Sequence, residues 1–162
     1  LSRFSELSSY KNNIMMQLLT NENLMKAITN NQSDFLNYDL PVEFQEDITK
    51  LLFTQIFPYK QVQSKITDTK SYITMAFVNF RPENNSTQIK NGMIYFYVVV
   101  HNSLLRTDEG LRYDYIVSQI DKTINGLRGI SIGRVNLSEE SDMPIDENYM
   151  GSYIAYKITD FQ

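Results

Sequence analysis

A chain of 162 residues with a net charge of −4, 42% hydrophobic residues and no cysteine is long enough for one domain of ordinary size. Size scaling lets such a chain bury about 70% of its unfolded surface without a covalent staple. Disulfides, thiolate zinc sites and cysteine nucleophiles are excluded, no apolar run approaches the ~20 residues of a membrane helix, and the acidic balance argues against bulk capture of nucleic acid.

Leu1 to Tyr10 carries neither a basic region followed by an apolar segment nor a cleavage pattern, so no leader is expected there. From Phe4 to about Thr29, Leu7, Ile14, Leu18, Met25 and Ile28 recur at helical spacings, with a break predicted near Thr20-Asn21-Glu22 because asparagine is a weak helix former. A second helix is expected over Pro41 to about Gln55, carried by Phe44, Ile48, Leu51 and Leu52 and ended by Pro58. Tyr59 to Asp68 reads as an extended connector. Ser71 to Phe80 alternates with apolar groups on both faces, which predicts a strand with both sides at least partly covered. Arg81 to Gly92 is polar and ends in Asn91-Gly92, so it is expected to tip a hairpin.

The run Met93-Ile94-Tyr95-Phe96-Tyr97-Val98-Val99-Val100 is β-branched and aromatic, too short for a typical helix, and predicts the central strand. After a polar turn, Leu111 opens a helix on which Tyr113, Val117, Ile120 and Ile124 form one stripe, stopped by Asn125-Gly126. Ile130 to Leu137 is the next expected strand, Ser138 to Asn148 an acidic loop, and Tyr149 to Thr159 the last strand. The order α-α-β-β-α-β-β describes an α+β fold: a mainly antiparallel sheet of about four strands with a packed central helix. One domain over 1–162 is expected, with a helical part at 1–57 and the sheet and central helix at 58–162.

Candidate chemistry is sparse. His101, the single histidine, follows the central strand and could meet Asp108 or Asp114 as a general base, but no nucleophile-elbow serine or second histidine accompanies it. Gly126, Gly129 and Gly133 lie between helix and strand, the wrong order for a phosphate loop, and read as turn residues. Glu139, Glu140, Asp142, Asp146 and Glu147 supply oxygens for a hard cation but lack the alternation of a calcium loop, which favours a solvated acidic surface. Arg106 and Arg112 flank Asp108, Glu109 and Asp114, while Arg128 and Arg134 follow the helix; local ion pairs compete with contacts to phosphates or partner carboxylates. Tyr95 and Tyr97 share one strand face. Without interleaved Lys or Arg they favour a core or protein interface over base stacking.

Several blocks together resemble the tail-terminator (tail-completion) proteins of long-tailed bacteriophages. They are Ile56-Phe57-Pro58-Tyr59; Lys70-Ser71-Tyr72-Ile73-Thr74-Met75; Val98-Val99-Val100-His101; Leu111-Arg112-Tyr113-Asp114-Tyr115-Ile116 with Ile120 and Asn125-Gly126; and Gly151 through Phe161. The resemblance covers about Ile56 to Gln162. It implies a structural virion protein of the phage neck, forming a homo-oligomeric ring, typically a hexamer, that caps the tail tube and joins it to the head. The implied partners are the chain itself, the tail tube protein and head–tail connector or stopper proteins, with DNA at most passing through the lumen. Catalytic residues, cofactors and metals are not expected. Localisation would be the virion neck, and the host cytoplasm before assembly. Interaction residues are expected at Arg81, Glu83, Asn84, Asn85 and Lys90 of the hairpin, at Arg106 and Arg112, and at Glu139, Glu140 and Asp142. A connector, stopper or other neck protein, a small enzyme using His101, and a single-stranded nucleic-acid binder remain as alternatives.

Overall fold

A computed structural model describes residues 7–60, 68–82, 89–125 and 134–159. Helix α1 (Leu7–Leu19) and helix α2 (Glu22–Thr29) replace one long helix, and the break falls where the asparagines predicted it. Asn21 does two things there. Its side-chain oxygen accepts from the Leu24 amide at 3.0 Å and caps α2. Its amide nitrogen donates to Thr123 Oγ1 at 3.1 Å and to Gln119 Oε1 at 3.2 Å, tying the break to the central helix α4 (Arg112–Asn125).

The expected helix over 41–55 is corrected. Helix α3 is only Val42–Glu46, followed by a 3-10 turn at Ile48–Leu51. Asp47 accepts from the Thr49 amide at 3.0 Å, a local side-chain-to-backbone bond that competes with helix continuation. The chain then forms a two-residue strand β1 (Ile56–Phe57) that the sequence reading missed.

Strands β2 (Ser71–Pro82) and β3 (Ile89–His101) pair antiparallel, Thr74 opposite Tyr97 and Met75 opposite Phe96. The predicted hairpin therefore exists; its tip, 83–88, lies outside the described residues. A small ribbon, β4 (Arg106–Thr107) with β5 (Gly110–Leu111), precedes α4. Two further strands complete the sheet, β6 (Arg134–Pro144) and β7 (Tyr149–Thr159), in the order β1-β2-β3-β7-β6 with only the β1–β2 pair parallel. The strand expected at 130–137 is present from Arg134, with 130–133 outside the described residues; the acidic loop expected at 138–148 is corrected, because β6 runs on to Pro144 with a bulge between Leu137 and Glu139. The architecture is α+β with a mainly antiparallel sheet.

One face of the sheet is sealed. Ile73, Met75, Ile94, Phe96, Val98, Ile154, Tyr156 and Ile158 form one cluster with buried residues of α1, α2 and α4. Burying such side chains contributes about 1.5–3 kcal/mol each. Tyr156 donates to Asp121 Oδ1 at 2.6 Å, pinning α4 to β7 and satisfying a hydroxyl at the helix–sheet seam. Close approach fixes one glycine: a Cβ on Gly151 would run into the Val98 carbonyl oxygen of β3. Among the described residues no helix is long and apolar enough to cross a membrane.

Candidate interaction surfaces

Arg112 is expected on the surface; the structure buries it completely. It opens α4 one turn before Ile116, on the same stripe as Ile120 and Ile124. Among the described residues no carboxylate pairs with it. Instead Nε donates to the Leu104 carbonyl at 2.8 Å, Nη1 to those of Ala27 (2.9 Å) and Asn30 (2.8 Å), and Nη2 to that of Gln32 at 2.9 Å. Ala27 and Asn30 stand at the C-terminal end of α2, where carbonyls lack helical partners and the dipole is negative. The guanidinium also lies 4.9 Å from the centre of the Phe35 ring. Burial lowers its pKa to about 10, so it remains charged at neutral pH. Arg112 is a lock between α2, the 33–37 turn and α4, and it is unavailable to a partner.

The other expected residues divide by location. Arg81 is exposed near the end of β2, and Arg106 is exposed on β4. Glu83, Asn84 and Asn85 lie outside the described residues; Lys90 lies on β3, with its side chain outside them. Glu139, Glu140 and Asp142 are exposed on the edge strand β6. The bulge turns Glu140 and Asp142 toward α4, where they meet Asp114: carboxylate oxygens of these three lie within 4.8 Å of one another, all exposed. Desolvation and the neighbouring Asp142 raise the pKa of both Asp114 and Glu140. The sequence separated Asp114 from the acidic run, so only the fold brings the three together.

The opposite face of the sheet is different. At one end Phe57, Tyr72, Val99 and Tyr149 form a small buried cluster with Ile145, and Tyr149 donates to the Asp68 carbonyl at 2.7 Å. Beyond it, Tyr95, Tyr97 and Tyr153 are half-buried and uncovered by any described helix. Tyr95 and Tyr97 stack at 5.9 Å with their planes 14° apart, and Tyr153 of β7 lies 5.8 Å from Tyr95. The pair expected from the sequence is joined by a third ring that the pairing of Tyr153 with Tyr97 delivers. Lys60 stands 5.0 Å from the Tyr97 ring centre, and Tyr95 donates to Glu139 at 3.4 Å.

His101 ends β3 with its Nδ1 engaged by the Ser103 amide (3.2 Å) and hydroxyl (2.8 Å), capping the 3-10 turn Asn102–Leu104. Its ring packs edge-on against Tyr149 at 5.2 Å. The local cap agrees with a structural histidine, and no described hydrogen bond links the ring to Asp108 or Asp114, the pairing a general base would use. Gly126, Gly129, Arg128 and Gly133 lie outside the described residues.

A family model described as YomW matches residues 21–158, which takes in α2 and, but for Thr159, every described strand. The chain belongs to this family, which is phage-derived. No curated protein matches the sequence.

Proposed function

We propose that this YomW-family chain is a structural protein of the phage neck: a tail terminator that closes into a ring, caps the tail tube and joins it to the head. The observation that carries the reading is the coincidence of two independent lines. The family is phage-derived, and the blocks resembling tail terminators fall on β1, β2, β3, α4 and β7, which pack together as one sheet with its helix. His101, which an enzymatic reading would need, is occupied as a turn cap. Exposed Arg81 and the acidic residues of β6 supply polar surface for neighbouring subunits, tube and connector.

The test is assembly. Purified protein across a concentration series should yield closed rings of uniform size by mass and negative-stain imaging. Added to terminator-deficient tails, it should restore joining to filled heads. Tails joined equally well without it would end the terminator reading, and capture of heads alone would move the protein to the connector side of the neck.

A further inference from the structure

The two sides of this sheet carry complementary groups. The open tyrosine face offers donors: the hydroxyl groups of Tyr97 and Tyr153, the ammonium of Lys60 above Tyr97, and exposed Lys157. Between them lie half-buried Ala76, Val78, Met93 and Met143. Glu139 is the one carboxylate that a described hydrogen bond ties to this ring cluster. Around the β6 edge, the other side brings together acceptors, the three crowded carboxylates of Asp114, Glu140 and Asp142. With a net charge of −4 for the chain, a lysine-bearing face is complementary to the rest of the molecule and not to itself. Face-to-face pairing of two tyrosine surfaces would oppose like charges. Head-to-tail contact would match donor to acceptor.

We propose that the Tyr95–Tyr97–Tyr153 face of one copy docks on the Asp114–Glu140–Asp142 edge of a second copy of this chain. This deepens the ring reading and rests on it, because a contact between two different surfaces is heterologous and must close into a ring or run on as a filament. The part of the face that no described residue covers, about seven residues long and four strands wide, spans roughly 450 Å². That is within the range of the larger apolar patches on single proteins but about half of one side of a standard interface, ~800 Å². Each contact is therefore weak alone, and closure, which gives every subunit two of them, makes the assembly stable. The tyrosines suit the role: burial raises the pKa of Tyr97, so its hydroxyl remains a neutral donor, and rigid aromatic rings are the residues that dominate interface cores.

The experiment is charge reversal read by sedimentation velocity at low salt. Wild-type mass should rise with concentration. K60E/K157E and E140K/D142K should each shift the half-association concentration up by about tenfold or more, and the variant carrying all four changes should recover most of the loss. Y97S/Y153S should weaken association with no rescue by charge. Urea midpoints near wild type would show that the exposed substitutions leave the fold intact. A wild-type protein that is monomeric throughout, variants that associate normally, or a four-fold variant without recovery would each overturn the interface. Saturable, salt-sensitive binding of a single-stranded oligonucleotide that requires Tyr97 and Tyr153 would assign the face to nucleic acid instead. Rings indifferent to all variants would leave the terminator reading standing and remove only this contact; variant-sensitive open filaments would do the reverse.

Discussion

Phe96 and Tyr97 are neighbours on β3, yet they belong to different environments. Phe96 is fully buried among helices, edge-on to Tyr156 at 6.1 Å, whereas Tyr97 is half-buried in a ring cluster facing outward. The alternation of a strand sends one residue to the sealed face and the next to the open one. Composition alone hides this, since both faces are aromatic. What separates them is polarity at the tip: apart from the small buried Ser71 and Ser152, the sealed face uses Ile, Val, Met and Phe, with the Tyr156 hydroxyl spent on Asp121. The open face uses tyrosines. A face built to be covered permanently by its own chain needs no donors, and one that meets water or a partner does.

The sharpest break in that contrast is Arg112, the charge inside the sealed side. R112M keeps an unbranched apolar stem and removes the donors, leaving the carbonyls of Leu104, Ala27, Asn30 and Gln32 without their partner. Each orphaned buried acceptor costs about 1–3 kcal/mol. With partial relaxation we expect a loss of about 4 kcal/mol, a fall in Tm of roughly 10 °C for a chain of this size, and faster amide exchange in α2. R112K keeps the charge but loses the planar fork and should recover less than half of the loss. Exchange in α2 unchanged in R112M would show that the lock does not hold that helix.

Next comes the direct comparison. F96A opens a cavity under the helices and should cost about 3–5 kcal/mol. Y97A, one residue on, removes ring contacts worth roughly 1 kcal/mol and should lower the urea midpoint far less while weakening association. Equal losses at the two positions would mean that the outer face is covered as fully as the inner.

This contrast was legible where periodicity speaks. The β3 run and the α4 stripe announced themselves because burial imposes periods of two and 3.6 on apolar residues. Legibility ended where backbone bonding outranked side-chain pattern. Residues 138–144 are acidic and mostly exposed, so nothing in them signals a strand; they are one because β7 offers an edge to pair with. The helix expected over 41–55 failed at Asp47, whose side chain caps a 3-10 turn. Its charge suggests a surface place for Arg112, although its spacing of four from Ile116 and eight from Ile120 puts it on the buried stripe. That spacing was the available signal. Three of the four carbonyls it satisfies lie 80 or more residues away and leave no local trace.

Alkali should sharpen the comparison by titrating tyrosines in place. Burial pushes Tyr72 up to about 12 and raises Tyr156 well above its ordinary value, with Asp121 adding to the effect. The folded chain then holds these protons where the unfolded chain has released them, so their contribution is complete below about pH 10 and is lost as pH rises toward 12. Arg112 acts in the opposite sense, since burial makes the folded state release its proton near 10 and the unfolded state holds it to higher pH, but one arginine is set against several raised tyrosines. Urea midpoints should be flat in this term from pH 7 to 9 and fall above 10, with the Tyr156 absorbance change appearing only on unfolding. A midpoint rising between pH 10 and 11 would mean that Arg112 dominates.

The smallest effect tests the acidic edge itself. Asp114 sits in the first turn of α4, where the helix dipole favours a carboxylate by about 0.3–1 kcal/mol. Yet desolvation and Asp142 raise its pKa, so repulsion and desolvation together outweigh the dipole. D114N should therefore stabilise the isolated chain, by about 0.5 kcal/mol at pH 7 and low salt. The gain is complete above the raised folded pKa and fades as pH falls toward 3.8, where the native carboxyl is already protonated. It should also shrink in 1 M salt, where screening acts over about 3 Å. The same change removes one acceptor from the proposed docking edge, so association should weaken while the monomer gains. Stability and association moving in opposite directions is the mark of a charge cluster kept for contact. If D114N destabilises the monomer, the dipole is the stronger partner, and the cluster needs no second copy to account for it.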